Sequence, residues 1–297
     1  MLKLLTKGIL FSAILLLLDL CGARLLRHGL EVYYGLNKEA EILCVGHSRM
    51  VQGIDQKLLE KRLARPVAKY AVQGTFLDDH MVMVEQFLER HPQSVTTFVY
   101  IVDDYTFGKG LGKNQYRLFY PFMDSRCVAA HVRSHAASWS EYAARSWLRL
   151  LRFSDTTIQS VARLGLMGRQ EPAPEDSVDV LALQAKLASL KLDEQYAVLD
   201  ENVRLFETLI QFSRSRGLRV ALLYVPFIDF LDEGQPEHRR ALQLLRSYAQ
   251  QLQGIQLIEI DQAYTHRYDF FSDATHPNRA GQIFITEQLA AALLRTP

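Results

Sequence analysis

The segment AEILCVGHS, residues 40–48, sets the fold. Residues 40–45 are mostly apolar, partly β-branched and too short for a helix, as in a strand covered on both faces. The run stops at Gly46, and His47 and Ser48 follow where a helix is due to begin. The same strand-stop-helix unit recurs downstream. Leu58, Leu59 and Leu63 share one face of a helix over 55–63, which Pro66 ends. Residues 67–72 read as a second strand stopped by Gly74, 76–90 as an amphipathic helix ended by His91-Pro92, and 96–102 (TTFVYIV) as a third strand. Residues 192–216 predict a long helix closed by Gly217, followed by a strand at 218–225, a helix at 235–252, a strand at 256–260 and a last helix from Pro277 to about Leu294. Strands alternating with helical crossovers predict a parallel sheet with helices on both faces, a three-layer α/β/α domain. Ligands of such sheets bind beyond the carboxyl ends of the strands. Gly46-His47-Ser48, Gln73-Gly74, Asp103-Asp104 and the loop before Pro277 therefore share one rim.

Residues 104–190 break the rhythm. They hold an aromatic run at 116–122, a helix expected over 131–152, and a stretch rich in proline and acid at 169–180 that reads as an exposed loop. The region is expected to be a helical insertion covering the sheet. The aromatic run suits packing within that cover, or contact with a membrane surface.

Composition narrows the function. The chain of 297 residues is 48% hydrophobic and 23% charged, enough apolar content for one sizeable core. Its formal net charge is +1, which offers no basic surplus for nucleic acid. Three cysteines, Cys21, Cys44 and Cys127, form no C-x-x-C pair, and Cys44 reads as a small core residue. His131 and His135 are spaced like metal ligands on a helix, but no third ligand or adjacent glutamate accompanies them, so no metal is expected. No cofactor motif is present.

Lys3 and Lys7 precede an apolar run, 8–23, broken only by Ser12 and Asp19 and followed by Arg24 and Arg27. A basic start and an apolar core mark an export segment. At about 16 residues the run falls short of the ~20 that span a bilayer comfortably, a deficit that thinning and snorkelling lysines offset. It reads first as an uncleaved membrane anchor over residues 1–30, with residues 31–297 exported. A signal cleaved near Cys21-Gly22-Ala23 and an interfacial helix are the alternatives.

Two segments carry chemistry. Ser48, just past a strand and two residues after a glycine, can present its hydroxyl at the sheet rim, or can simply cap the following helix. Asp273 and His276, three apart before the last helix, can form a carboxylate-imidazole pair, or an ordinary cap and a surface histidine. Together, a strand-end Gly-x-Ser near the start and an Asp-x-x-His-Pro opening the last helix resemble the SGNH (GDSL-type) hydrolase superfamily over about residues 40–295. Gly53-Ile54 after Ser48 resembles the short Ser-x-x-x-x-Gly-Ile run of its membrane-anchored relatives. The resemblance implies a flavodoxin-like α/β/α fold with Ser48 as nucleophile, His276 as base and Asp273 as its partner. It implies oxyanion donors at the Ser48 and Gly74 N–H groups. It also implies removal or transfer of acyl groups, acetyl first among them, on an envelope polysaccharide, beside a membrane-bound O-acyltransferase at the outer face of the inner membrane. His47 stands where the family has aspartate, and Asp103 where it has an asparagine donor. An ionised aspartate cannot donate to an oxyanion. Either Asp103 is protonated, another donor such as Arg49 or Tyr105 serves, or the hole is weaker. A catalytically inactive scaffold in a polysaccharide modification or secretion complex is the other reading.

Overall fold

The computed structural model describes residues 2–103, 105–108, 115–187, 197–232 and 236–295. Asp104 and the first five residues of the helix expected over 192–216 lie outside them. The described elements run α1 (Leu2–Tyr33), β1 (Ile42–Gly46), α2 (Ser48–Gly53), α3 (Gln56–Leu63), β2 (Val67–Ala71), α4 (Leu77–Arg90), β3 (Thr97–Val102), α5 (Arg126–His135), α6 (Trp139–Trp147), α7 (Thr156–Leu166), α8 (Val180–Leu187), α9 (Asp200–Ser215), β4 (Arg219–Tyr224), α10 (Asp229–Asp232), α11 (Pro236–Gln251), β5 (Ile255–Glu259) and α12 (Arg279–Arg295), with short 3-10 turns between them. They form two units. A sheet unit comprises Lys38–Asn114 and Glu171–Pro297, and a helical unit Met1–Asn37 and Gln115–Gln170.

In the sheet unit all five strands are parallel, in the order β2-β1-β3-β4-β5. The period of two divides each strand between the two faces. Ile42, Cys44, Val67, Ala71, Val99, Ile101, Ala221 and Leu223 meet α2, α3 and α12 through Met50, Leu59, Leu63, Ile285 and Leu289. Leu43, Ala68, Tyr70, Phe98, Tyr100, Val220 and Leu222 are buried on the other face, where α4 and α9 pack. The Tyr70 hydroxyl donates to Gln86 of α4 at 2.7 Å, and Tyr100 lies 6.2 Å from Phe206 of α9. This is the three-layer α/β/α arrangement read from the sequence. Burial pushes the Cys44 thiol up to about 12, so in β1 it is an inert core residue.

The chain leaves β1 for β2 on one side and returns to β3 on the other, so strand order reverses between β1 and β3. The crevice beyond their carboxyl ends is the topological switch point. One charged side chain inside the sheet supports it. Lys69 of β2 is buried and donates from Nζ to the carbonyls of Val51 at 3.0 Å and Ile54 at 2.8 Å, where α2 ends. Burial, partly offset by Asp55, lowers its amine to about 8.

Several local expectations change. The helix expected over 131–152 is two helices, α5 and α6, broken at 136–138, where Ser138 takes over as N-cap and accepts from Glu141 N at 3.1 Å. Pro277 does not open the last helix. It makes an antiparallel bridge with Phe271, and α12 begins at Arg279, with Asn278 Oδ1 accepting from Gly281 N at 3.1 Å. The long helix before β4 starts at Asp200, and Gly217 ends it at φ +78°. The N-terminal apolar run is the first half of a helix that continues through Arg24 and Arg27 to Tyr33. It is long and apolar enough to cross a membrane by length and composition. Among the described residues, the three cysteines are free.

In the helical unit, α1 and α7 meet backbone to backbone: a Cβ at Gly29 would lie 2.1 Å from the Ala162 carbonyl oxygen, and one at Gly165 1.8 Å from that of Gly29. Asp19, the acid that interrupts the apolar run, is buried and accepts from the N–H groups of Arg149 and Leu150 at 3.0 and 2.8 Å. The aromatic run folds as a 3-10 turn, Tyr116–Phe122, with Phe119, Tyr120 and Phe122 buried in this unit.

Gly46 is required by packing and not by backbone conformation. Its φ is not positive, but a Cβ there would sit 2.4 Å from Ile101 Cγ2 and 3.0 Å from Met50 Cβ. Gly53 has room, with nothing nearer than 3.9 Å. Gly46→Ala is therefore expected to destabilise the protein by ~1–3 kcal/mol, while Gly53→Ala stays within ~1 kcal/mol of wild type. Urea unfolding followed by circular dichroism measures both.

Candidate active site

Ser48 is the first residue of α2, and the N-cap is His47, whose Nδ1 accepts from Arg49 N at 3.3 Å. The capping that the sequence allowed for Ser48 thus falls to its neighbour. The Ser48 Oγ lies 2.7 Å from His276 Nε2. On the far side of the ring, His276 Nδ1 is 2.9 Å from Asp273 Oδ2 and 3.1 Å from Oδ1. The three residues that the resemblance joined are in contact in series. With Nδ1–H donated to the carboxylate, Nε2 is left bare and accepts the serine hydroxyl.

A compact loop holds the pair. Asp273 Oδ1 accepts the N–H groups of Thr275 and His276, both at 2.8 Å, so the carboxylate is fixed to the backbone that carries the imidazole. Ser272 N donates to the His276 carbonyl at 2.9 Å and Asn278 N to that of Phe270 at 2.9 Å, closing the loop at its base. A Cβ on Gly281 would stand 2.2 Å from the Phe270 carbonyl oxygen, so glycine lets α12 start against this loop. Burial raises the Asp273 carboxyl, but His276 and the two N–H groups outweigh it and hold the group well below the usual carboxylate range. The loop is tied to the serine's side of the site. Arg279 pairs with Asp55 at 2.8 Å, and Asp55 N donates to Thr286 Oγ1 at 2.9 Å.

Gly74 lies in the exposed turn after β2, at φ +74°, a conformation that suits glycine. Val72 N donates to the Gly46 carbonyl at 3.1 Å, which brings this turn alongside the chain entering Ser48. No acceptor for the Gly74 N–H is present among the described residues.

Asp103 directly follows β3 and is 1% exposed. It faces His47 Nε2 at 3.2 Å and Arg49 at 3.4 Å, and accepts from Tyr105 N at 3.0 Å and from the Thr106 hydroxyl at 3.3 Å. Burial favours its neutral form, but His47 and Arg49 prevail and hold the carboxyl far below its ordinary value. Of the options that the sequence left open, a protonated Asp103 is excluded at neutral pH. Both terminal nitrogens of Arg49 are engaged, while its buried Nε–H has no partner among the described residues. Its guanidinium donates to the carbonyls of Val225 at 2.7 Å and Pro226 at 2.9 Å and lies 4.4 Å over the Phe227 ring, pinning α2 to the end of β4. Tyr105 packs its ring 4.9 Å from Phe227.

His80 of the amphipathic helix α4 is not on its polar face: it is 1% exposed. The Thr75 hydroxyl donates to the Val72 carbonyl at 2.6 Å, so it accepts from His80 Nε2 at 3.0 Å, and Nδ1 accepts the Tyr100 hydroxyl at 2.9 Å. Burial, then the neighbouring His47, keeps His80 neutral, and its ring stacks 6.1 Å from that of His47. The His47–Asp103–Arg49 cluster, the His80 relay and Lys69 were missed. The only sequence signal for them was a polar residue within an otherwise apolar element.

No protein-family model and no curated protein matches the chain. Solved structures do. A Streptococcus pneumoniae protein described provisionally as a platelet activating factor is 12% identical, with 97% of this chain and 98% of the other covered at a TM-score of 0.49. The C-terminal catalytic domain of a peptidoglycan O-acetyltransferase of Streptococcus pneumoniae, carrying a methylsulfonyl adduct, is 11% identical over 87% and 95% at 0.39. A catalytic mutant of an acetylxylan esterase from Geobacillus stearothermophilus is 13% identical over 86% and 93% at 0.42. Likeness at this level carries no residue role across.

The depressed Asp103 carboxyl is a stability contribution that is complete above the ordinary aspartate value of ~3.9 and is lost as pH falls through its lower folded value. Stability of the wild type should hold from neutral pH to about pH 5 and fall below about pH 4. Asp103→Asn leaves buried Arg49 without its counter-charge and should cost ~3 kcal/mol at neutral pH while flattening the acid limb. Denaturant unfolding at a series of pH values tests both effects.

Proposed function

We propose that this chain is an extracytoplasmic serine acyl-ester enzyme. It removes acyl groups, acetyl first among them, from a cell-envelope polysaccharide, or transfers them to it. The observation that carries this reading is the continuous series from Ser48 Oγ to His276 Nε2 at 2.7 Å and from His276 Nδ1 to Asp273 Oδ2 at 2.9 Å. A hydroxyl bonded to a bare imidazole nitrogen, with a carboxylate fixing the other nitrogen, is the arrangement that nucleophilic catalysis requires.

In the first half-reaction, Ser48 Oγ attacks the acyl carbonyl carbon as His276 Nε2 takes its proton. Asp273 holds the ring and stabilises the imidazolium. The Ser48 and Gly74 N–H groups receive the oxyanion. Collapse breaks the bond to the leaving oxygen, which takes the proton from Nε2, and Ser48 is left acylated. In the second half-reaction, His276 deprotonates water or a glycan hydroxyl, which attacks the acyl carbon; collapse breaks the bond to Ser48 Oγ, which takes the proton back from His276 Nε2. Asp103 contributes no hydrogen to the oxyanion. Its place in this reading is to fix His47 and Arg49, and through them the start of α2.

Residues 1–30 are the anchor in this reading, with the rest of the chain held outside the inner membrane. Tethering raises the enzyme's local concentration over an envelope polymer and beside a membrane-bound O-acyltransferase that supplies the acyl group.

The test is labelling of the full chain in detergent with a fluorophosphonate, together with hydrolysis of p-nitrophenyl acetate. Wild type is expected to label at Ser48, and Ser48→Ala to abolish labelling. His276→Ala and Asp273→Asn should each lower kcat by ~10³–10⁴. A folded wild type that neither labels nor hydrolyses would favour an inactive scaffold, the reading that the missing side-chain donor at Asp103 supports.

A further inference from the structure

The helical unit carries an apolar surface that the active site does not use. On α1, residues 4–18 are exposed throughout, and burial begins at Asp19. There the Asp19 carboxylate holds the N–H groups of Arg149 and Leu150, and Leu150 packs against Gly22. The chain between α6 and α7 is thus fastened to α1 at the height where its bare stretch ends. The most exposed side chains of this segment are apolar, with the half-buried Arg149 between them: Trp147 is 84% exposed, Leu148 54%, Leu151 40% and Leu150 38%.

From Lys3 to Asp19 a helix advances about 24 Å, against a hydrocarbon core of ~30 Å. A span that stopped at Asp19 would be too short. The shortfall closes if the bilayer boundary lies beyond Asp19, at Gly22–Leu25, where Leu25 is itself 57% exposed and Arg24 supplies a cation for the headgroups. Trp147 and its leucine neighbours then lie within the interface, where an indole with an apolar body and one N–H donor is favoured.

We infer that the segment from Trp147 to Leu151 is a membrane-seating collar, inserting Trp147 and Leu148 into the interfacial layer of the bilayer that α1 crosses. The inference rests on the anchor reading and goes beyond it. The occupant of the surface is lipid, since the apolar patch is bonded directly to the helix whose exposed face requires lipid. The collar fixes the depth of the helical unit, with Trp147 and Leu148 in the interface and the half-buried Arg149 beside them.

The chain has two tryptophans, Trp139 and Trp147, so the test can be read residue by residue. Full-length Trp139→Phe, which keeps Trp147 alone, is reconstituted into phosphatidylcholine vesicles brominated either near the glycerol end or near the tip of one acyl chain. Flotation and unfolding are measured in parallel, with Trp147→Phe as the companion variant. The expected result is blue-shifted Trp147 emission, quenched by the shallow bromines more than by the deep ones, with little quenching by iodide. If a folded chain floats with the vesicles and Trp147 emits as in water, open to iodide and untouched by either lipid, the collar is overturned and the anchor stands. If the chain does not float at all, the anchor reading fails and the collar with it.

Discussion

The hydrogen bond between Ser48 Oγ and His276 Nε2 joins residues 228 positions apart in the chain, and the sheet unit is built so that this bond can form. Neither side chain can hold that geometry by itself. Ser48 is aimed by the first turn of α2, which is fixed at its start by Arg49 on the carbonyls of Val225 and Pro226 and at its end by Lys69 on those of Val51 and Ile54. His276 is aimed by a loop closed on itself at Phe271 and Pro277. The Asp55–Arg279 ion pair then ties the two supports together.

Charge inside the unit serves position. Burying Lys69, Arg49 and Asp103 costs desolvation energy, and each is retained with partners that offset it. Asp103 is the informative case. It follows β3 and is committed to His47 and Arg49, accepting from two further donors. The result is an α2 held at its start by a buried ion pair.

The helical unit applies the same logic with different means. An acid in an apolar run looks like a defect until Arg149 and Leu150 present their N–H groups to Asp19. Two glycines far apart in sequence let α1 and α7 meet at backbone distance, so the helix that carries the exposed apolar stretch is a structural member of its unit and not a loose tether.

The sequence by itself determined the strands, their parallel pairing and the three layers, because apolar runs of strand length stopped by glycine or proline and separated by helical crossovers leave one arrangement that buries both sheet faces. It also marked Ser48, Asp273 and His276, since all three sit at element ends that a parallel sheet collects on one rim. Tertiary structure decided what spacing could not. The Ser138 cap that separates α5 from α6 and the bridge between Pro277 and Phe271 are local but follow no helical period, while the burial of His80 against Tyr100, 20 positions away, and the pairing of Asp103 with Arg49, 54 positions away, depend on the packed sheet. Gly46 shows the difference at a single residue. The sequence marked a glycine where the strand ends, and only the packed sheet shows that the reason is the Ile101 methyl group beside it.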